Sequence, residues 1–497
     1  MRGEAGGAET PGAPGARGRA ALYLLLGFAA GMPFFMGSTV LALRLAAHGV
    51  GLVLIGFFAW VTLLPTFKFV WAPLLDAWDV PGFAHCWGRR RGWIMLAQLG
   101  IFASLVAMAL TAADASLAVT ALCAVLLAFW TTTLEIAADG WRIELAPSAE
   151  EQGPIVAAYL WGYRGAMVLA GSGALIVADH AGWTSAYLVM AAAAGVPFVV
   201  LAGMPGAGRG RALAVGVAAS AAILAVFAVA VAGVGWGALW LAIAAGLGAE
   251  SDVTRGVLLL CLVPFAALLL ALPRIRRARA GDPILTTRAI AAYAELFWRF
   301  GYGTLPLLAF VSLYRMGDVL ANVLAKPLVR SIGYSLTQIG VADGVVALAG
   351  TIAGVSLGGW LVTRWRLGWA LAAGALLAAI GNWGFVALAH APLGAAALYA
   401  ATFADQFGNG FAASVFVVYL SMLVNPAWPG AQYAFLSGFA FLLPRLIAGA
   451  SGGIARGIGY DGFFLVSGAL SAAAILLVPV VVALRGRDAL PRSGTAV

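Results

Sequence analysis

The chain has 497 residues, 63% of them hydrophobic and 10% charged, against about 25% charged in soluble domains. No soluble core could bury so much apolar side chain, so the expected class is an all-α polytopic membrane protein. The net charge of +9, from 29 Lys+Arg and 20 Asp+Glu, falls in short breaks between apolar runs. That is the positive-inside pattern, and it argues against a nucleic-acid partner.

Residues 1–20 are Gly/Ala/Pro-rich and read as a disordered tail. About 20 apolar residues cross a bilayer. On that measure spans are expected near 21–43, 51–75, 93–112, 116–140, 154–178 and 183–203, then 212–234 and 254–273. Six more are expected near 303–326, 336–361, 367–389, 394–424, 430–454 and 461–484. The total is about fourteen, divided as an N-terminal six-helix bundle (21–204), two extra helices with a cytoplasmic linker (205–302), a C-terminal six-helix bundle (303–485) and a short tail (486–497). Two six-helix halves are the major facilitator plan, and two added helices keep the halves parallel. Arg17, Arg19, Arg89 to Arg91, Arg209, Arg211, Arg274, Arg276, Arg277, Arg279, Arg364, Arg366, Arg485, Arg487 and Arg492 then share one side, so both termini are expected in the cytoplasm. Within the linker, AIAAYAELFWRF reads as an amphipathic helix at that membrane surface. Small residues every four positions predict close helix packing: Gly27 with Gly31, Gly350 to Gly358, and Gly449 to Gly457. Pro33, Pro65, Pro306 and Pro444 fall inside spans and are candidate kinks.

Ionisable groups inside a bilayer are costly unless paired, and so mark function. The fourth span carries Glu135 and Asp139, four apart and therefore on one helix face. Matching depths across the next turn predicts a Glu135–Arg164 pair, leaving Asp139 to exchange a proton or to pair with Lys68. Protonating a buried acid avoids moving a bare charge through hydrocarbon, so Asp139 and Glu135 are the candidates for proton coupling. Arg315 and Asp318, three apart, are expected to pair on their own helix. Asp405, Gln406 and Asn409 share roughly one face, and Gln432 and Arg445 add an amide and a cation. Together with Lys68 and Arg164 these are the substrate-binding candidates, suited to a ligand with carboxylates, amides and hydroxyls. Asp343 lies close to a membrane end.

No catalytic set is visible. The four His are scattered and the three Cys fit no metal or redox spacing. The glycines of 206-GAGRG-210 follow no strand, and no Walker motif occurs. The expectation is a non-enzyme with no metal and no cofactor, acting as a monomer in membrane lipid.

The stretches 27-GFAAGMP-33, 67-FKFVWAPLLD-76, 88-GRRRGW-93, 135-EIAADGWRIE-144, 162-GYR-164, 314-YRMGD-318 and 432-QYAFLS-437 run through most of the chain in a set order. In that order the chain resembles the AmpG-like muropeptide permeases of the major facilitator superfamily. The resemblance implies import of peptidoglycan turnover products, GlcNAc–anhydro-muramyl peptides, across a bacterial inner membrane, driven by a proton gradient. It also implies a transport-essential role for Asp139 and a gating loop of Asp76 with Arg89, Arg90 and Arg91. The chain departs from the family pattern at Glu135, where Asp is common, in the longer loop DAWDVPGFAHCW, and at DQFGNGF. Other solutes within the superfamily stay open: a small peptide, a siderophore or a CoA-type anion.

Overall fold

The computed structural model describes residues 15–50, 60–111, 117–204, 209–244, 266–267, 270–278, 282–287, 290–390, 394–448 and 451–484. The expected tails 1–14 and 486–497, Cys261, Gly449 and most of the eighth span lie outside them. Among the described residues there are helices and no strands, and eleven helices are long and apolar enough to cross a membrane.

The N-terminal bundle comprises α1 (Arg17–Ala47), α2 (60–77), α3 (Phe83–Leu110), α4 (Leu117–Leu145), α5 (149–181) and α6 (183–203). The last two form one 55-residue apolar stretch. It is broken at Gly182, whose φ of +81° is open to glycine at little cost. α7 (Arg209–Ala244) lies outside this bundle. It packs through Gly216 on Gly82 and Phe83, and stacks Phe227 on Phe129 with ring centroids 4.1 Å apart. A short helix, α8 (Ala291–Phe300), precedes the second bundle. That bundle comprises α9 (Thr304–Ile332), α10 (336–362), α11 (Leu367–His390), α12 (Ala395–Leu423), α13 (Pro429–Ala448) and α14 (Ser451–Leu484).

Local chemistry fixes several ends. Ser148 and Glu151 close a capping box at the start of α5, and Ser335 and Gln338 do the same for α10. α1 carries a π-turn, Met36–Val40, one turn after Pro33, and Pro65 sits in the 3₁₀ stretch Trp60–Val70 of α2. Pro306 is the third residue of α9, in the first turn, where proline is tolerated. It is therefore no interior kink.

Two glycine stripes pack as their spacing predicts. A Cβ on Gly27 would stand 2.0 Å from the Tyr159 carbonyl of α5, and one on Gly354 2.1 Å from the Phe407 carbonyl of α12. The third stripe behaves otherwise: Gly453 and Gly457 face open space, so spacing alone did not make a contact there. The linker helix also departs from expectation. Its ten residues are almost all buried, Glu295 and Arg299 included, so it is wedged into the protein and does not lie on a lipid surface.

One buried apolar core fills the first bundle along its height and continues into the second bundle at the end that carries the arginine-rich breaks, here the basic end. The opposite part of the C-terminal bundle, around Leu320, Leu328, Phe385 and Phe464, forms a separate cluster. Gly354→Val should cost about 1–3 kcal/mol through overpacking against backbone, lowering the thermal midpoint in detergent by several degrees. Gly453→Val should leave it unchanged.

Candidate functional site

The charged groups inside the bundles fall into three levels, read from the basic end inward. At the first, α2 ends in Asp76, 1% exposed. Its Oδ1 accepts from Arg90 at 2.6 Å, and its two oxygens accept from the backbone N–H groups of Gly430 (3.3 Å) and Ala431 (2.7 Å) at the start of α13. The first turn of a helix offers unpaired N–H groups and a partial positive charge, so a carboxylate belongs there. This one carboxylate ties the two bundles together. Arg90 also pairs with Glu144 of α4 at 2.9 Å. The three arginines do not act alike. Gly88 breaks the helix just before them, so they start the membrane-spanning part of α3 and do not form a loop. Arg90 reaches Asp76, while the Arg91 guanidinium lies 5.0 Å from the centre of the Trp141 ring.

One level further in, Lys68 Nζ of α2 stands 3.9 Å from Glu135 and 3.8 Å from Asp139. Asp139 also accepts from Arg142 at 2.9 Å. Arg142 is fully buried, donates to Gln152 (2.6 Å) and crosses to Ser421 of α12 (2.8 Å). Both cations rest near the ring of Tyr433 of α13, Lys68 at 5.7 Å and Arg142 at 5.2 Å. The expected Glu135–Arg164 pair does not form. Among the described residues Arg164 makes no ion pair within 4 Å, and the charges that act on it are Asp318, Arg315 and Asp405 of the other bundle.

The third level gathers those groups. Arg315 pairs with Asp318 at 2.6 Å, as its spacing predicts, and Asn322 donates to the same carboxylate at 2.9 Å. Asp405 accepts from Gln406 (2.9 Å) and Asn409 (3.1 Å). Arg445 crosses to Thr66 of α2 at 2.6 Å, and Arg315 and Arg445 flank the Phe441 ring at 5.2 and 5.4 Å. Arg315 Nε and Nη1 and Asn409 Oδ1 are buried without a hydrogen-bond partner. A cleft lined by Asn322, Lys326, Asp343, Thr402, Asp405 and Gln406 runs from here toward the end opposite the basic one. The pair Lys326–Asp343 (2.7 Å) stands on it, largely exposed.

Gln432 belongs to none of these levels. It is fully buried and its amide is consumed by packing: it donates to Ala292 O and Glu295, and accepts from Asn425 N and Arg299. Its role is to fasten α8 to α13, not to meet a ligand. The sequence reading passed over Arg142 and Tyr433. Arg142 carried a readable signal, the same three-residue spacing from Asp139 that singled out Arg315 and Asp318. Tyr433 carried none, since its contacts come from other helices. Among the described residues no group of three His, Cys, Asp or Glu is placed to hold a metal.

No family model matches the chain. It is similar over 93% of its length to the anhydromuropeptide permease of Escherichia coli (strain K12), at 28% identity, covering 79% of that protein. It is 25% identical to the putative transporter AmpG 4 of Rickettsia conorii, over 91% of this chain and 94% of that one. In fold it matches the proton:xylose symporter XylE of the major facilitator superfamily, with a TM-score of 0.61 at 14% identity, covering 93% and 94% of the two chains.

Removing one partner of a buried ion pair costs about 3–5 kcal/mol, enough to invert a two-state equilibrium. In a background without native cysteines, Ser414→Cys places a thiol where α12, Gly359 of α10 and Ala157 of α5 meet. Adding Asp76→Ala should raise its alkylation rate at least several-fold.

Proposed function

The chain is a multi-span transporter of the major facilitator fold and a homologue of the AmpG-type permeases, and from that premise we propose that it imports sugar-peptide products of peptidoglycan turnover, GlcNAc–anhydro-muramyl peptides, with protons. The cargo reading comes from the relatives' names and near full-length similarity. The observation that carries it on this chain is the third level. Arg164, Arg315 and Arg445 converge between the bundles, with N–H groups on Arg315 and a carbonyl oxygen on Asn409 left unpartnered. A buried donor without an acceptor costs about 1–3 kcal/mol, and a ligand bearing carboxylates and amides removes that cost on binding. Arginine suits carboxylates because its fork can donate twice.

Coupling belongs to the second level, where Glu135 and Asp139 share Lys68. Adding a proton there changes which charges are paired, and so biases one arrangement of the bundles over another. Asp76, Arg142 and the continuous apolar core hold the bundles together at the basic end, which supports reading this conformation as closed to the cytoplasm. On that reading both termini are cytoplasmic, the membrane is the bacterial inner membrane, and cargo enters from the opposite side in alternating access.

Reconstituted protein should accumulate labelled GlcNAc–anhydro-muramyl tripeptide when an inward proton gradient is imposed, and much less without one. Arg315→Gln should weaken apparent affinity roughly ten- to hundredfold, the worth of a charge-assisted hydrogen bond at about 1.4 kcal/mol per tenfold. No uptake by folded, correctly oriented protein would move the cargo to another anionic solute.

A further inference from the structure

Glu135 and Asp139 share a helix face but keep different company. Asp139 is held on both sides, by Arg142 at 2.9 Å and Lys68 at 3.8 Å. Arg142 is itself fixed by Gln152 and Ser421. A proton on Asp139 would leave that buried guanidinium without its anion. Among the described residues Glu135 has no hydrogen-bond donor within reach, and its one ion-pair contact is Lys68 at 3.9 Å, too long for a hydrogen bond. The other charged or titratable groups that act on it are Asp139 on its own helix, Arg445 and Tyr433 from α13, and Tyr159 and Tyr163 from α5.

Glu135 also lines a pocket between α1, α2 and α4, together with Ser38, Pro65, Ala128, Thr131 and Thr132. α4 runs toward the basic end, so Thr132, Thr131 and Ala128 lie progressively outward from Glu135. Each hydroxyl donates to its own helix backbone: Ser38 to Phe34, Thr131 to Leu127 and Thr132 to Ala128, all at 2.7 Å. Their oxygens keep a lone pair that can accept from water.

We propose that Glu135 is the group that takes up and returns the coupling proton, reached from the outer side through this pocket, while Asp139 stays ionised as the fixed counter-charge of Arg142. This rests on the proton-coupled reading above. A hydronium ion on the outer side gives one proton to a Glu135 oxygen and leaves as water. The Lys68 ammonium is then left to Asp139 alone. Loss of that proton to water on the other side restores the first state, with no net change in the protein.

The test needs no cargo. N,N′-dicyclohexylcarbodiimide modifies protonated carboxyl groups in apolar surroundings. Applied to the full-length chain in detergent and mapped by mass spectrometry, it should label Glu135, less as pH rises, and leave Asp139 unmodified. Labelling of Asp139, or of neither acid at any pH from 5 to 8 where the protein stays folded, would overturn the assignment. In proteoliposomes, Glu135→Gln should bring the ratio of tripeptide uptake with and without an inward proton gradient to about one, and Glu135→Asp should restore it at least partly. Asp139→Asn should instead lower the yield of folded protein. Carbodiimide labelling at Glu135 in a protein whose cargo exchange ignores the gradient would reject proton coupling and, with it, the transport role given to Glu135.

Discussion

An ion inside a bilayer is tolerated only when its charge is answered nearby, and that requirement orders the polar interior of this chain. Asp76 is answered by Arg90 and by two backbone amides, Asp139 by Arg142 and Lys68, and Asp318 by Arg315. Each ion pair lies within one bundle, and the two amides on Asp76 come from the other bundle, so that carboxylate is a tie between bundles as well as an answered charge. Lipid is as apolar as the spans, so apolar burial alone does little to hold one span against another, and close packing and polar contacts do that work. The ionic and hydrogen-bonded contacts add a specific register to that packing.

The spans were legible because one constraint, about 20 apolar residues per crossing, acts on each in isolation. Pairs on one helix were legible for a similar reason: Arg315 and Asp318 meet because three residues bring two side chains onto one face. Partners on different helices were not. The match of Glu135 with Arg164 used depth alone. Rotation about the helix axis decides whether two groups at one height face each other, and that angle is set by packing. The structure turns Glu135 toward Lys68 and Arg164 toward the second bundle. Gly453 makes the same point, since a repeat of small residues marks a stripe without saying what covers it.

Amphipathicity misled in the linker for a related reason. AAYAELFWRF has the polar and apolar faces of a helix lying in a membrane surface. Its polar face is used internally: Glu295 pairs with Arg299 at 3.3 Å and accepts from Gln432, and Arg299 donates to the Leu423 carbonyl of α12. Tyr293 reaches the first bundle through the Phe69 carbonyl. A charged face is equally satisfied by water or by buried partners, and the sequence of the helix alone does not distinguish them.

These contacts converge on four consecutive residues at the start of α13. Gly430 and Ala431 offer their amides to Asp76, Gln432 fastens α8, and the ring of Tyr433 underlies Lys68 and Arg142. A side chain on Gly430 would stand 2.9 Å from Asp76 Oδ1, so the carboxylate approaches as closely as it does because that position is bare. Adjacent residues on a helix point about 100° apart, so one turn can present its backbone to the first bundle, an amide to the linker and an aromatic face to the charged cluster. Moving this turn away from α2 would break the Asp76 contacts and withdraw the ring from the cations of Glu135 and Asp139 together. The acids in α4 and the Asp76 contacts at the basic end are thus joined through a single helical turn.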